Sequence, residues 1–392
     1  MKVVITSAKR TPIGTLNGTL SSLSAPKLGS IALRGVINES GIDPSIVDEV
    51  IMGNVLTAGL GQAPGRQAAI YAGLTDKTEC LTINKMCGSG LKAVMLAHHA
   101  ILSGDANIII AGGQESMSNA PYILTKARNG YKLGHGELID SMITDGLWDV
   151  YNNIHMGNCA EACAKDFNFT RKELDEYAIN SFKKAQQAQY NKTFNEEIVK
   201  VIISNKSGES VVEQDEGPSK VNYEKIPLLK PVFDKTGVIT AANSSSINDG
   251  AAALLVMTED KAIELGLVPL VEIIAQASSA KAPIEFTTAP ADAINKVLIK
   301  AHLSASNIDL YEINEAFAVV SLAVNKLLNI DNSKVNVNGG AIALGHPIGA
   351  SGARILVTLI HEMKKRNSVY GLASLCIGGG EASALIIKNY TK

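Results

Sequence analysis

Two segments of the chain, one beginning at position 88 and the other at position 350, resemble each other at an offset of 262 residues. Gly88-Ser89-Gly90-Leu91-Lys92-Ala93-Val94 aligns with Ala350-Ser351-Gly352-Ala353-Arg354-Ile355-Leu356. Each copy opens a helix-length run, near 90–102 and 352–365, and each run leads to an apolar strand ending in glycines, IIIAGGQES and LCIGGGEAS. The repeat predicts two similar halves that pack against each other with pseudo-twofold symmetry.

Apolar runs rich in β-branched residues alternate with amphipathic segments of helical length. The runs include VVIT near the start, EVIMGNV at 49–55 and NIIIAGG at 107–113. This alternation is typical of an α/β fold. The runs IIIAGG and GLASLCIGGG have no alternating polar residues, which predicts strands covered on both faces.

A chain of 392 residues is too long for one ordinary core. We predict that the halves meet where LVMTEDKAIELGLVPL indicates a strand end, a helix and a turn, giving domains 1–268 and 269–392. Polar stretches within 115–245 interrupt the α/β alternation. We therefore predict an inserted loop domain over about 115–245 in the first half.

The formal net charge of −2 gives no electrostatic reason to expect nucleic acid or an anionic membrane as a partner. No apolar run reaches the roughly 18 residues that cross a bilayer. The N-terminal MKVVITSAKRTPIG reads as a strand and a turn and not as a targeting segment. A cytoplasmic protein is expected.

The chain has five cysteines, an odd and small number for a disulfide framework, so reduced thiols are expected. Cys159 and Cys163 are four residues apart in a helical pattern, but no second ligand pair with zinc spacing follows. We expect these two to pack in the interior, with no metal site.

Cys87 lies in NKMCGSG, directly before a Gly-Ser-Gly turn that opens a helical run. A free cysteine usually behaves as a small buried hydrophobe. At a helix start, however, unpaired N–H groups and the helix dipole stabilise an anion, and the thiolate is the nucleophilic form of cysteine. The sequence therefore allows either a packing role or an activated nucleophile.

Two further residues could join Cys87 in chemistry. His346 is held in a Gly-His-Pro turn before the second copy's helix, where Pro347 restricts its backbone to extended geometry. Packing of the halves could bring this imidazole to Cys87, although loop histidines usually lie at the surface. Cys376 ends a buried-looking strand, where open α/β sheets place their sites, but it could equally be a core residue.

Asn314 and Glu315 come just before an apolar helical run in YEINEAFAVVS. Asn314 could cap that helix, or its amide could hold a water or orient a histidine that faces a developing oxyanion. The glycine-rich turns lack the G-x-G-x-x-G spacing of a dinucleotide site, and no G-x-S-x-G, H-E-x-x-H or P-loop motif is present.

With NKMCGSG, AGGQESMS, HMG, NEAFA, NGGAIALGHPIGASGAR and CIGGG distributed over almost its whole length, the chain resembles the thiolase family, most closely its two-carbon biosynthetic branch. The resemblance implies two βαβαβαββ halves stacked in five layers, αβαβα. It also implies an inserted loop domain that carries CoA, and a homotetramer or homodimer.

The resemblance implies that two acetyl-CoA molecules condense reversibly to acetoacetyl-CoA and CoA through an acetyl-cysteine. Cys87 would be the nucleophile, its thiolate favoured by the helix start, and His346 would accept its proton. Cys376 would take a proton from the second acetyl-CoA, and His346 with a water on Asn314 would stabilise the enolate. The N–H groups of Cys87 and Gly378 would form another oxyanion hole. CoA thioesters are substrates here, so no cofactor or metal is expected.

The family pattern also implies a set of residues that contact CoA, with Ser245 bonding the pantetheine. They are His155, Met156, Phe233, Ala241, Ser245, Ala316 and Phe317. Ordinary packing is the alternative for Met156, Phe233 and Phe317.

The chain departs from the family pattern at several positions. Phe286 stands where a methionine commonly shapes the acyl pocket. The segment 218–225 lacks an arginine that members often direct at the nucleotide, with Lys220 and Lys225 nearby, and Glu381 stands where glutamine or methionine is common. These departures bear on acyl-chain preference and CoA affinity.

Two other functions compete with acetyl transfer. A 3-ketoacyl-CoA thiolase of longer chain preference would share every catalytic residue, and a non-catalytic CoA-binding protein could keep the fold. A decarboxylating ketoacyl synthase would need a second histidine in place of Cys376.

Overall fold

A computed structural model describes residues 1–205 and 208–391. The strands are β1 (Val3–Arg10), β2 (Gly14–Thr15), β3 (Glu49–Gly53), β4 (Glu79–Ile83), β5 (Ile108–Ser116), β6 (Tyr122–Ile123), β7 (Ile139–Asp140), β8 (Trp148–Asp149), β9 (Ile154–His155), β10 (Val201–Asn205), β11 (Gly208–Val212), β12 (Asn248–Thr258), β13 (Val271–Ala280), β14 (Leu310–Ile313), β15 (Tyr370–Ile377) and β16 (Glu381–Asn389). The α-helices are α1 (Ala25–Ser40), α2 (Pro64–Ala72), α3 (Ser89–Ser103), α4 (Met156–Phe167), α5 (Arg171–Tyr190), α6 (Glu259–Glu264), α7 (Ala289–Ala301), α8 (Ala318–Leu328), α9 (Ala341–Leu344) and α10 (Ser351–Arg366).

The main sheet has the strand order β14-β15-β16-β13-β1-β12-β5-β3-β4, with β2 attached to β12. The halves join where β1 pairs antiparallel with β13, Val4 opposite Glu272 and Ile5 opposite Val271. Moving outward from this joint, β12 and β16 are equivalent, and so are β5 and β15. The repeated helix-and-strand units, α3 with β5 and α10 with β15, therefore occupy matching places in the two halves.

Five layers follow from how the helices cover this sheet. Helices α3 and α10 contribute to one apolar core between the two halves of the sheet, with Leu91, Val94, Ile355 and Leu356 among its fully buried members. Helices α1 and α2 cover the outer face of the first half, while α7 and α8 cover that of the second. The α/β prediction with a five-layer αβαβα arrangement is confirmed.

The two central helices pack backbone against backbone. A Cβ on Gly90 would lie 2.7 Å from the amide nitrogen of Ala353, and one on Gly352 would lie 2.4 Å from that of Leu91. Only glycine permits so close an approach. Gly90 and Gly352 are aligned positions of the repeat, so each half supplies the glycine that the other half's helix needs.

Strands β5 and β15 are buried as predicted. Every residue of β5 is buried, and β15 is buried except at Tyr370. Because both faces carry helices, no polar alternation can be accommodated, which explains the continuous apolar runs in the sequence.

The chain leaves the sheet after β5 and returns at β12, and these two strands are paired neighbours. Between them lie three two-stranded ribbons, β6-β7, β8-β9 and β10-β11, together with α4 and α5. Arg10 of β1 holds the segment between β5 and β12 against the sheet, because its buried guanidinium contacts Glu197 at 2.5 Å and Asp215 at 2.7 Å. The boundaries 115–245 and 268 stay predictions.

None of the helices in the described part of the chain is both long and apolar enough to cross a membrane.

Candidate active site

A cavity of about 290 Å³, walled mainly by apolar side chains, lies where turns from both halves meet the inserted segment. Its lining residues are Cys87, Met117, Gly146, Leu147, His155, Met156, Val232, Phe233, Ser244, Ser245, Ser246, Ile247, Phe286, Ala316, Phe317, His346, Ile348 and Gly378. The two halves therefore contribute a thiol and an imidazole to a single cavity.

Cys87 sits in a tight turn immediately before α3. Met86, the preceding residue, has a left-handed backbone with φ of 47°, a conformation that costs a non-glycine residue energy and is held by its surroundings. Ser89 fixes the turn, because its Oγ accepts from the Lys85 N–H at 2.8 Å and donates to the Met86 carbonyl at 2.6 Å. The half-buried thiol is presented to the cavity.

The electrostatics of Cys87 oppose ionisation. Burial raises the pKa of the thiol to about 11, and the backbone N–H groups of Gly378 and of Cys87 itself, directed at the sulfur, only partly offset this. The N–H groups at the helix start favour the thiolate as expected, but burial of the sulfur is the larger effect. Cys87 needs a base.

His346 supplies a neutral imidazole. Burial, and after it the charge of Arg354, lowers its pKa to about 3. The backbone N–H of His346 donates to Asn248 Oδ1 at 2.9 Å, and Nδ1 lies 2.6 Å from Ser351 Oγ. The other ring nitrogen, Nε2, is buried and has no hydrogen-bond partner among the described residues.

Ser351 and Asn248 position His346, although neither is predicted from the sequence as a site residue. Ser351 Oγ also donates to the Pro347 carbonyl at 2.9 Å, an arrangement that favours a proton on Nδ1 and a lone pair on Nε2. The repeat held the signal for Ser351, because it aligns with Ser89, the serine that fixes the Cys87 turn.

Asn314 follows β14 and faces the same imidazole. Its backbone N–H donates to the Ser374 carbonyl at 3.0 Å, and its Nδ2 lies 3.5 Å from Nδ1 of His346. Helix α8 begins only at Ala318, with Phe317 at the N-cap. The helix-cap interpretation of Asn314 is therefore wrong, and its amide is placed beside the histidine.

Cys376 lies near the end of β15 and is 1% exposed. Burial raises the pKa of its thiol well above the usual range, and proximity to Cys87 raises it further. The turn that follows carries Gly378 into the cavity wall. Ile377 packs so closely on the Cys87 turn that a Cβ on Gly88 would lie 2.3 Å from its Cδ1.

An ion pair between Lys85 and Glu381 also joins these two turns. Glu381 is one of the departures from the family pattern, and the structure gives it this partner. Two contacts therefore join the Cys87 turn to the end of β15 and the turn after it: Ile377 packs on Gly88, and Lys85 pairs with Glu381.

The residues expected to contact CoA line the cavity with one exception. Ala241 is exposed and lies outside it, so the structure does not bring it to the site. His155 caps α4 by accepting from the Gly157 N–H at 3.1 Å, and its ring stacks on Phe233 at 4.7 Å. Phe233 in turn meets Phe317 edge to face at 6.3 Å.

Of the positions where the chain departs from the family pattern, Phe286 lies in the cavity wall, and Lys220 of the segment 218–225 is paired elsewhere. Phe286 is 3% exposed, lines the cavity and meets Phe317 edge to face at 6.4 Å. Lys220 contacts Glu216 at 2.6 Å and Thr15 at 2.8 Å, so its ammonium is already paired. Met117, Leu147, Val232, Ile247 and Ile348 complete the apolar wall. Met117 and Ile348 lie within the AGGQESMS and NGGAIALGHPIGASGAR motifs, but none of the five is predicted from the sequence as a site residue.

Cys87 is the one cysteine that lines the cavity, and Cys80, Cys159, Cys163 and Cys376 lie outside its lining. Cys159 and Cys163 are buried on α4, and Cys159 Sγ lies 3.7 Å from Asp149 Oδ2. Within residues 1–205 and 208–391, no three histidine, cysteine, aspartate or glutamate side chains form a group that could hold a metal ion.

Comparisons with known proteins match this architecture over the whole chain. The family model described as thiolase, N-terminal domain, matches residues 3–260, and that described as thiolase, C-terminal domain, matches residues 267–389. The acetyl-CoA acetyltransferase of Cupriavidus necator is 52% identical over 98% of this chain and 99% of its own length. Acetyl-CoA acetyltransferase 2 of Arabidopsis thaliana is 51% identical over 98% of this chain and 96% of its own.

A solved structure agrees. The Acat5 thiolase from Ascaris suum, crystallised in complex with coenzyme A, superposes with a TM-score of 0.94 at 44% identity, covering 99% of this chain and 100% of that one. Both domain models, the relatives and the shared fold lead to one conclusion: this chain belongs to the thiolase family.

Proposed function

We propose that the protein is an acetyl-CoA acetyltransferase, which condenses two acetyl-CoA molecules to acetoacetyl-CoA and CoA. The observation that carries the proposal is the meeting of Cys87 and His346, from opposite halves, in one apolar cavity. Relatives of about this length at 48–52% identity bear the same name, which supports it.

In the first half-reaction, His346 Nε2 accepts the Cys87 proton and the thiolate attacks the acetyl carbonyl. The carbonyl oxygen becomes negative, and the N–H groups of Cys87 and Gly378, already directed at this sulfur, are placed to stabilise it. The carbon–sulfur bond to CoA breaks. The leaving thiolate takes the proton of Cys376, so that an acetyl-Cys87, a protonated His346 and a Cys376 thiolate remain.

In the second half-reaction, the Cys376 thiolate removes a proton from the methyl carbon of a second acetyl-CoA. Protonated His346, with Asn314 beside its ring, stabilises the enolate oxygen, and the enolate carbon attacks the acetyl group on Cys87. Cys87 leaves and recovers its proton from His346. All three groups return to their starting protonation states, and no redox partner or metal enters the balance.

High thiol pKa values suit this sequence of steps. A Cys376 thiolate is a strong base because burial raises its pKa well above the usual range, and the α-proton of a thioester is only weakly acidic. The energy of that buried anion lowers the barrier to proton abstraction. Protonated His346 and the developing enolate balance the charge.

For CoA, we propose that the pantetheine arm passes between His155, Phe233 and Ser245 to reach Cys87. The stacked His155 and Phe233 rings form a rigid apolar wall, and the Ser245 hydroxyl offers a hydrogen bond to an amide of the arm. Such a mostly apolar channel with few polar groups is typical of cofactor-sized ligand sites.

We propose a preference for short acyl groups. A cavity of about 290 Å³ has to hold the end of the pantetheine arm and the acyl group together. Phe286 and Phe317 stand edge to face in its wall and leave little room for a longer chain. A 3-ketoacyl-CoA thiolase of longer chain preference is the competing outcome.

We further propose that the chain forms a homotetramer or a homodimer. Large apolar side chains are exposed between residues 122 and 151, including Leu133, Leu138 and Tyr151, and surfaces of this kind are commonly covered by another chain. Light scattering on the purified protein measures the assembly directly.

For the location of the protein, we propose the cytoplasm. The five unpaired cysteines fit the reducing conditions of that compartment.

The decisive experiment mixes the purified protein with acetyl-CoA, quenches it and determines the mass of the intact chain and its peptides. One acetyl group on Cys87 is the expected result. Butyryl-CoA under the same conditions tests chain length. Absence of any acyl adduct from a folded protein would contradict the proposed function and favour a non-catalytic CoA-binding protein.

A further inference from the structure

Glu115, at the end of β5, carries a buried carboxylate that accepts four hydrogen bonds. Its Oε1 accepts from Asn54 Nδ2 at 2.7 Å and from the Leu56 N–H at 3.1 Å. Its Oε2 accepts from the Val55 N–H at 3.0 Å and from the Gly349 N–H at 2.9 Å. None of these donors is a cation, so the carboxylate is held by dipoles of two loops.

The two loops come from opposite halves of the fold. Asn54, Val55 and Leu56 follow β3 in the first half, whereas Gly349 lies between His346 and α10 in the second. Contact on the Gly349 side is very close, since a Cβ there would lie 2.6 Å from Glu115 Oε2. Glu115 is thus a single group to which both loops are fastened.

Both loops also pack beside the cavity, and the second loop lines it. Val55, Leu56, Met117 and Ile348 make one small apolar cluster, against which Cys87 packs. Ile348 lines the cavity, and it is separated from His346 by Pro347 alone. Any shift of the Gly349 loop would therefore move His346 relative to Cys87.

We infer that Glu115 is a positioning residue for acyl transfer, which holds the His346 loop in register with the Val55–Leu56 loop and Cys87. This inference rests on the proposed function. Glu115 does not line the cavity, so it acts through His346 and the cavity wall and touches no reacting atom.

The energetics fit a positioning role. Burial raises the pKa of Glu115 to about 7, while the N–H donors of Val55, Leu56 and Gly349 and the Asn54 amide oppose that shift. A buried carboxylate without a cation is costly to keep. Its charge also raises the pKa of Cys87, by less than burial does.

The test is Glu115→Gln. Glutamine offers one acceptor oxygen, and its NH₂ would face N–H donors, so one of the two loops must be released. We expect kcat for acetyl transfer to fall about 100-fold, as displacements near 1 Å do in catalytic sites. The KM for acetyl-CoA should stay within about threefold, because Glu115 does not contact His155, Phe233 or Ser245.

A second readout is the single-turnover rate of Cys87 acetylation, followed by mass spectrometry. It should fall by the same factor as kcat, because His346 serves that step. Asn54→Ala removes one donor and keeps the carboxylate, so a loss of about tenfold is expected, and this milder variant decides the question if Glu115→Gln does not fold.

Asp309→Asn is the matched control. Asp309 also accepts two backbone N–H groups, from Val369 at 2.8 Å and Tyr370 at 3.0 Å, at the ends of β14 and β15 opposite to Asn314 and Cys376. It should lower the melting temperature and leave kcat unchanged.

The outcomes separate the two claims. A folded Glu115→Gln or Asn54→Ala enzyme with wild-type kcat would overturn the positioning role, as would a loss of kcat that Asp309→Asn reproduces at equal loss of melting temperature. A wild-type protein that transfers no acetyl group would instead overturn the proposed function and, with it, this inference.

Discussion

Ser351 Oγ lies 2.6 Å from Nδ1 of His346, while Ser89, its counterpart in the repeat, donates to the Met86 carbonyl at 2.6 Å beside Cys87. The same position in each half therefore fixes one member of the proposed nucleophile and base pair. When His346 accepts the Cys87 proton, its hydrogen bond to Ser351 becomes charge-assisted and therefore stronger.

Replacing Ser351 by alanine should therefore lower kcat by roughly tenfold to a hundredfold, the cost of a hydrogen bond to a charged group. The KM for acetyl-CoA should be unchanged. Steady-state kinetics measure both. Ser30→Ala is the control, since Ser30 is a buried serine on α1 that donates to the Lys27 carbonyl at 2.7 Å, remote from the cavity. Equal losses in both variants would count against a role in orienting His346.

Cys376→Ala should separate the two half-reactions. Cys87 and His346 remain, so acetyl-Cys87 still forms, at a reduced rate because the leaving CoA must take its proton elsewhere. Without the second thiol no base removes the methyl proton, and acetoacetyl-CoA formation should fall by at least about a thousandfold. Mass spectrometry and the absorbance of the product enolate follow the two steps. Unchanged condensation would contradict the proposed role of Cys376 as the base that removes the methyl proton.

Much of the architecture could be predicted because the repeated residues include glycines that close packing of the backbone requires. Gly90 and Gly352 are needed where α3 and α10 touch, and this need is visible as GSG aligned with ASG. The apolar runs of β5 and β15 likewise follow from burial on both faces. Cys87, His346 and Gly378 reach one cavity because the two halves pack by that symmetry.

What the sequence could not provide is the outcome of competing local energies. A helix start was expected to favour the Cys87 thiolate, but burial of the sulfur is the larger effect and raises its pKa to about 11. For Asn314 the sequence allows a helix cap or an amide beside a histidine, and the cap is excluded because α8 begins only at Ala318. Glu115 belonged to a motif, AGGQESMS, whose role depends on loops far away in the sequence.

The thiols should stay protonated in the native protein well into alkaline pH. Burial raises the pKa of Cys87 and Cys163 to about 11 and of Cys159 to about 12, against about 8.5 in an unfolded chain. Native protein at pH 9.5 should therefore show little thiolate absorbance at 240 nm, and the signal should appear on unfolding in urea.

The same shifts set the sign of a stability change. Between the unfolded and folded pKa values the native state binds more protons than the unfolded state, so stability falls as pH rises through that window. A Cys159→Ala variant should lose melting temperature less steeply from pH 8.5 upward than the wild type. Strong thiolate absorbance of the folded protein at pH 8 would contradict both expectations.

Phe286→Ala should widen the acyl preference. Removing the ring that meets Phe317 edge to face enlarges the cavity, and each methylene accommodated in an apolar pocket changes selectivity by roughly tenfold or more. The ratio of kcat/KM for butyryl-CoA to that for acetyl-CoA should rise at least about tenfold. Phe169→Ala, which alters the Phe167 stack outside the cavity, should leave the ratio unchanged, and an equal ratio in both variants would place the specificity elsewhere.

Gly90→Ala tests the contact on which the whole arrangement depends. The new Cβ would lie 2.7 Å from the Ala353 amide nitrogen, and backbone cannot rotate away as a side chain can, so α3 and α10 must separate. We expect a loss of roughly 3 kcal/mol or more in the free energy of unfolding, with reduced activity because Cys87 and His346 precede those two helices. Gly35→Ala on α1 is the control. There the Cβ would meet side chains and no backbone, with Val199 Cγ2 at 2.3 Å and Lys9 Cβ at 3.4 Å, and a side chain can shift where a helix backbone cannot. Its effect should be small, since alanine also gains about 1 kcal/mol of helix propensity over glycine. Chemical denaturation of both variants measures the difference, and equal stabilities would show that the central helices tolerate separation.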